Sequence, residues 1–315
     1  MMRKSVYVVV FSVWFWSCAS TPPKQKPEGM AGVEGDIVAI EWKDGFTLEK
    51  KVDRLFDRAY EDYLEGDYEN AIIGFESAGL LNSKKMEYWR RSALIYCYLA
   101  TGRYKAAQNL SEKLMKQRPN DWGAYLNAAL SHLWQGKLKE ALKYFELAND
   151  FAAHEPTVNL YLGLTHKLMN KPKLFETQFQ IAEKDYLSIM TNNPTDEQAV
   201  IELAYLYLYS DKKLNDVKDL LEKAEKIIES SDWREQKQIW IDFYLPHLKG
   251  IWLYKNGNHQ ESILMFADAL QKVPSGIRLD LAEIYYYLGK NYQALHEREK
   301  AYEFLNKALT LDPLV

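Results

Sequence analysis

Two histidines, His132 and His166, stand 34 residues apart in matching local settings. Imidazoles repeated on adjacent helices could grip a transition metal, and this is the first arrangement in the chain that invites a chemical reading. Equivalent neighbouring helices lie roughly 8–10 Å apart, and no Cys, Asp or Glu recurs in that slot to complete a ligand set. Both residues are therefore read as core histidines satisfied by backbone or hydroxyl partners. The acid pairs Glu61/Glu65, Glu65/Glu69 and Glu222/Glu225 fall at helical spacing and read as solvated helix faces, not as general acid–base couples. The sequence has no glycine-rich phosphate loop, Cys-x-x-Cys, His-Glu-x-x-His or Gly-x-Ser-x-Gly. Catalytic residues, metal ligands and cofactors are all expected to be absent, and the chain is expected not to be an enzyme.

The two cysteines have different settings. Cys97 lies among Leu94, Tyr96 and Tyr98 on a helical pattern and reads as a buried free thiol. Cys18 closes a basic start (Arg3, Lys4) followed by an eleven-residue, largely apolar run from Val6 to Trp16. That run is too short to span a bilayer and has the layout of a secretory signal. A cysteine after the small Ser17 resembles the lipobox of bacterial lipoproteins, with Phe15 and Trp16 standing where that family prefers Leu and a small residue. The resemblance implies cleavage before Cys18 and acylation of that residue, whose several chains give stable membrane anchoring. Removing residues 1–17 would take the formal charge from −4 to −6, which gives no reason to expect nucleic acid. An acylated Cys18 leaves Cys97 without an intrachain disulfide partner.

The elements that must position any site are legible from the far end of the chain. The segment Tyr285-x-x-Leu288-Gly289-x-x-Tyr292 is followed by Ala301, Leu305, Ala308 and Pro313. Small residues suit the crossing of two helices, large ones fill the gaps around it, and a proline stops the second helix. Gly102, Gly136 and Asn170 recur at 34-residue intervals, and Ala71/Phe75/Ala78 and Ala141/Phe145/Ala148 repeat the second-helix pattern. This resembles the tetratricopeptide repeat, a two-helix unit of about 34 residues. The resemblance covers nearly all of residues 52–315 and implies an all-α, right-handed superhelical solenoid of about seven helix hairpins, each burying its apolar face against its neighbours. Residues 1–17 read as the signal peptide, 18–35 (rich in Pro and Gly) as a tether, and 36–51 as an N-terminal extension. Thr47 is the expected N-cap of the first helix.

The period breaks in the carboxy-terminal half, where Gly163, Ala204, Gly250 and Gly289 are separated by 41, 46 and 39 residues. The spacing predicts a long helix over 172–192 and another running to about Asn256, capped by Asp232 and Glu235 and kinked at Pro246. It also predicts a last-repeat helix beginning near Ile277. Elongated helices could close one end of the superhelix or form a self-association surface; tolerated drift is the alternative.

By the repeat resemblance, first helices line a concave wall. The inward positions map to Trp89, Tyr96, Leu126, Leu130, Leu133, Tyr205, Leu208, Ile251 and Tyr254, with Lys167 the sole cation. An apolar, tyrosine-rich wall suits a protein segment or a hydrophobic ligand. It could equally be filled by its own side chains under tight curvature. The expectation is a lipid-anchored envelope scaffold, outer-membrane by the Ala19 that follows Cys18, binding a protein partner during envelope assembly. The alternative is a transport-associated lipoprotein that binds a hydrophobic small molecule.

Overall fold

The computed structural model describes residues 46–78, 84–230 and 234–312. The signal, the tether, Cys18, most of the N-terminal extension and Pro313 lie outside them. Among the described residues there are fifteen α-helices, and none is long and apolar enough to cross a membrane. They pair as antiparallel hairpins: α1 (Phe46–Leu64) with α2 (Tyr68–Ala78), α3 (Lys84–Ala100) with α4 (Tyr104–Gln117), α5 (Trp122–Leu133) with α6 (Leu138–Phe151), and α7 (Pro156–Leu168) with α8 (Pro172–Asn192). Next comes α9 (Glu197–Ser210) with α10 (Leu214–Ser230). The sixth unit is α11 (Arg234–Ile239), a π-helical turn (Trp240–Tyr244) and α12 (Leu245–Lys255), packed on α13 (His259–Gln271). The seventh is α14 (Leu279–Ala294) with α15 (Arg298–Leu311). Each hairpin also packs on the next, giving the expected right-handed, all-α superhelix.

Local chemistry explains where the helices begin and end. Asp121 and Asp196 cap α5 and α9 by accepting from the amides of Gly123 (3.1 Å) and Ala199 (2.9 Å). Pro156 and Pro172 open α7 and α8, where a missing N–H costs nothing. Within each hairpin a turn residue takes left-handed backbone: Gly66, Gly102, Gly136, Asn170, Asp211 (with Lys213 in the same turn), Gly257 and His296. That requirement is the physical source of the 34-residue Gly/Gly/Asn rhythm.

Packing follows a small-against-large rule. A Cβ on Gly250 would lie 2.7 Å from the Phe266 ring, and one on Gly289 would lie 2.6 Å from Leu305. The second-helix phenylalanine of one repeat then meets a first-helix tyrosine of the next. Phe145 stacks on Tyr161 at 5.8 Å, and Phe266 stacks on Tyr287 at 6.0 Å. Phe145 and Phe266 are fully buried, and such rings stabilise by about 1.5–3 kcal/mol each through area removed from water.

The long α8 begins and ends where the spacing predicts. Three other expectations change. Helix α1 opens at Phe46, so Thr47 lies inside it and not at its cap. The kink expected at Pro246 takes the form of the π turn just before it. Proline has no N–H for the carbonyl four residues back and its ring crowds that carbonyl, and widening the turn relieves both. The last first helix begins at Leu279, not near Ile277. The residues between α13 and α14 form a loop instead, while Asp232 and the side chain of Glu235 lie outside the described residues.

That loop closes the superhelix on itself. The Arg278 amide donates to the Ala100 carbonyl at 3.1 Å, joining the start of the seventh hairpin to the second. Gly276 packs on Glu69 and Thr101, and Gly66 on Ile239 and Pro274, so tightly that a Cβ on either would overlap its neighbour. Both glycines also hold φ near +80°, a second reason for glycine there. Beneath this seam the Tyr68 hydroxyl lies 2.8 Å from that of Tyr244, 176 residues away.

Candidate functional site

The inner wall of first helices carries the unusual chemistry. Tyr96, Leu126, Leu130, Leu133, Tyr205, Leu208 and Ile251 are buried, between 0 and 5 % exposed, and Tyr254 is half-buried. The side chain of Trp89 is outside the described residues. The wall is thus filled by its own side chains, the tight-curvature alternative, because the seam brings the first two hairpins across it. Tyr63, Tyr68 and Tyr96 pack edge-on or tilted at 5.5–6.2 Å, and the Tyr68 hydroxyl also lies 3.5 Å from that of Tyr96. Lys167 does not project into the wall as a free cation. Its ammonium donates to the Tyr209 carbonyl (2.6 Å) and to Asp211 (2.8 Å), which also holds Lys255 at 2.5 Å.

Two acid centres lie inside. In the first, Glu202 of α9 accepts from Thr157 (2.6 Å) and Tyr186 (2.5 Å) at one oxygen and from Gln198 (3.0 Å) at the other. Burial pushes its carboxyl up to about 8 even though those donors pull the other way. In the second, Asp280 and Glu283 of α14 meet His247 of α12, and all three are wholly buried. Tyr209 donates to both Glu283 oxygens at 3.1 and 2.9 Å. The His247 Nε2 lies 3.0 Å from Glu283, off the line of a hydrogen bond, and its Nδ1 is 3.9 Å from Asp280. Neither Asp280 oxygen has a hydrogen-bond partner. Burial raises Asp280 to about 7, raises Glu283 well above the carboxylate range and lowers His247 to about 4, so the imidazole is neutral at physiological pH.

Acids and a histidine shifted this far are what an active site often shows. Here they are sealed from solvent, and no group of three His, Cys, Asp or Glu among the described residues converges as metal ligands. His132 and His166 do not converge either. His132 stacks on Tyr144 at 5.3 Å, and burial lowers the pKa of both imidazoles. Contrary to the expectation of satisfied core histidines, Nδ1 of each ring has no hydrogen-bond partner. Cys97 is a buried free thiol whose pKa burial raises, as expected from its apolar neighbours.

The repeat geometry agrees with the family comparison, in which residues 98–160 and 282–314 match tetratricopeptide-repeat models. Those two stretches carry tetratricopeptide repeats. No curated protein matches the sequence. Among solved structures, the APC/C hetero-tetramer Cut9–Hcn1 superposes with a TM-score of 0.55 at 15% identity, over 84% of this chain and 47% of that one. This repeat protein thus spans about half the length of that neighbour. A tetratricopeptide repeat protein from Parabacteroides merdae gives 0.42 at 16% identity, covering 83% and 93% of the two chains. NprR in complex with its cognate peptide NprX gives 0.49 at 16% identity, covering 84% and 79%.

Sequence reasoning passed over Glu202, Asp280 and Glu283. Their signal was an acid on the apolar stripe of a first helix: Glu202 between Ile201 and Leu203, and Asp280 and Glu283 one turn apart beside Leu279, Ala282 and Ile284. In these repeats such a position faces the wall.

Proposed function

We propose that this protein is a lipid-anchored scaffold of the bacterial cell envelope, held through Cys18 at the outer membrane facing the periplasm, where it docks a protein partner in envelope assembly. What carries the scaffold half is the stack of seven hairpins whose shifted acids and histidine are enclosed, leaving helix surfaces and not a reacting centre to meet other molecules. A repeat fold of this kind serves protein–protein interaction. The anchoring half rests on Arg3, Lys4, the apolar run and Cys18. A tether rich in proline and glycine suits a body standing off a membrane.

Labelled palmitate should attach to the full chain and not to Cys18→Ser, and the variant should move from the membrane to the soluble envelope fraction. Equal partitioning of the two proteins would sink the anchor. Crosslinking in intact cells should then give one stoichiometric adduct, which the scaffold reading requires. A hydrophobic small molecule inside the array would require the filled wall to part. Native mass spectrometry showing such a molecule at full occupancy would favour that reading instead.

A further inference from the structure

Two buried carboxyl groups on the inner wall differ in one respect. Glu202 has three donors, whereas Asp280 has none. A buried polar group left unpaired costs about 1–3 kcal/mol, and more once it is charged. Any movement that let water reach Asp280 would recover that cost. The unpaired acid also lies directly under the seam, two residues after the Arg278 amide that bonds to Ala100.

The seam is thin by comparison with the joints between neighbouring hairpins, where whole helix faces interlock. It includes the turns at Gly66, Gly102 and Gly276 against their neighbours, a short contact of α1 with α11, the Arg278–Ala100 bond and the hydroxyls of Tyr68 and Tyr96 against Tyr244. We infer that this seam is a clasp: it opens and shuts on an otherwise intact stack of hairpins, and the unpaired Asp280 is the group that favours the open form. Opening uncovers the tyrosine wall at Tyr68, Tyr96 and Tyr244. That the uncovered wall meets a partner rests on the scaffold reading; the opening itself does not.

Acidity supplies a lever. Asp280 is faced by His247 of α12, Glu283 of α14, Tyr68 of α2, Tyr244 of the π turn and Tyr104 of α4, and Arg278 and Asp312 bear on Tyr104. Glu283 faces Tyr209 of α9, Lys255 of α12 and Tyr287 of its own helix. From pH 6.5 to 8 the open-form imidazole of His247 loses its remaining proton, which opposes opening by at most about two-fold, while Glu283, raised further than Asp280, favours opening beside it. In the closed form burial delays ionisation of the two carboxyls, Asp280 to about 7. In the open, hydrated form they ionise in the ordinary carboxylate range. Raising the pH from 6.5 to 8 therefore favours opening, by about three-fold or more from Asp280 alone.

The test is hydrogen exchange at the Arg278 amide of the full chain, corrected for the intrinsic chemical rate, with the amide of the fully buried Ala148 on α6 as reference. The clasp predicts that Arg278 exchanges faster than Ala148, that the ratio rises at least about three-fold between pH 6.5 and 8, and that Asp280→Asn reduces this rise. Should that variant fail to fold, nitroxide labels on Glu65→Cys and Lys272→Cys, in a Cys18→Ser background, report the same motion. They should show one separation at pH 6.5 and a second, longer one growing in at pH 8. Equal exchange of the two amides at both pH values, or one unchanging label separation, overturns the clasp. Either result leaves the scaffold reading standing, and failed palmitate labelling leaves the clasp untouched.

Discussion

The hydroxyl of Thr157 on α7 lies 2.6 Å from a carboxyl oxygen of Glu202 on α9, joining the first helices of two neighbouring repeats through the interior. Tyr186 of α8 reaches the same oxygen, so one acid ties three helices together. Thr157→Val keeps the shape and removes the donor at a site that water does not reach. The expected loss is about 1–3 kcal/mol of unfolding free energy, because the Glu202 oxygen loses one of its two donors. Thr310→Val, at an exposed position on α15, should stay within about 0.5 kcal/mol. Urea denaturation of the two variants measures the difference, and equal midpoints would remove Glu202 as a tie.

Two helix glycines in equivalent positions should answer differently to alanine. At Gly250 a new Cβ meets the Phe266 ring at 2.7–2.9 Å, and that ring is held fast between His247 and Tyr287. Overpacking of this kind costs about 1–3 kcal/mol. At Gly163 the nearest atom is the Gln178 Cβ at 3.1 Å. A shift of a few tenths of an ångström there is offset by alanine's helix propensity, about 0.8–1 kcal/mol over glycine. Gly250→Ala should therefore lower the thermal midpoint clearly while Gly163→Ala leaves it nearly unchanged.

The hairpin count, the pairing and the ends of α8 were legible in the sequence because local rules set them: a left-handed turn residue, an alanine at each crossing, a proline at a helix start. The seam was not legible. It depends on the summed rotation of six hairpins, to which every small departure in period contributes, and no local pattern reports that sum. The loop before Leu279 looked like extra helix because the 39-residue interval from Gly250 to Gly289 left added length there, while the left-handed Gly276 that forbids it carries its signal in one residue. Most of the residues expected on the inner wall are buried, and whether a wall is open or filled is a question of curvature that no local pattern states. The π turn was half-visible, since Pro246 demanded a distortion without fixing its form.

Stability should fall as the solution is made more alkaline across the neutral range. Burial raises Glu202 to about 8, and Glu155 and Asp280 to about 7, from unfolded values near 4. The native state holds those protons more tightly. Their contribution is therefore complete below pH 4 and is lost progressively as pH rises through 7 and 8. His247, lowered to about 4, acts in the opposite sense but only between about 4 and 6.5. The urea midpoint should decline from pH 5.5 to about 8, most steeply below about 7 and levelling off above 8, and Glu202→Gln should flatten the decline. A midpoint that rose over this range would show that these carboxyls are hydrated in the native protein.

Arg90 offers a test of how the first two repeats are joined. Its guanidinium donates to both oxygens of Glu87 at 2.9 and 2.8 Å and to the Phe75 carbonyl near the end of α2 at 2.6 Å, and the residue is buried. Arg90→Met fills similar volume but leaves Glu87 to Arg91, which donates to one of its oxygens at 2.5 Å, and strands the carbonyl of Phe75. A buried acceptor left without its donor costs about 1–3 kcal/mol. Arg90→Lys keeps the charge but offers a point donor in place of a planar fork, so it should recover only part of the loss. By contrast, Lys307→Met on α15 breaks an exposed pair with Glu303 and should cost no more than about 0.5 kcal/mol. Denaturant titrations of the three variants should rank them in that order. If Arg90→Lys matched the parent protein, charge alone and not the three-donor geometry would be what holds α3 to α2.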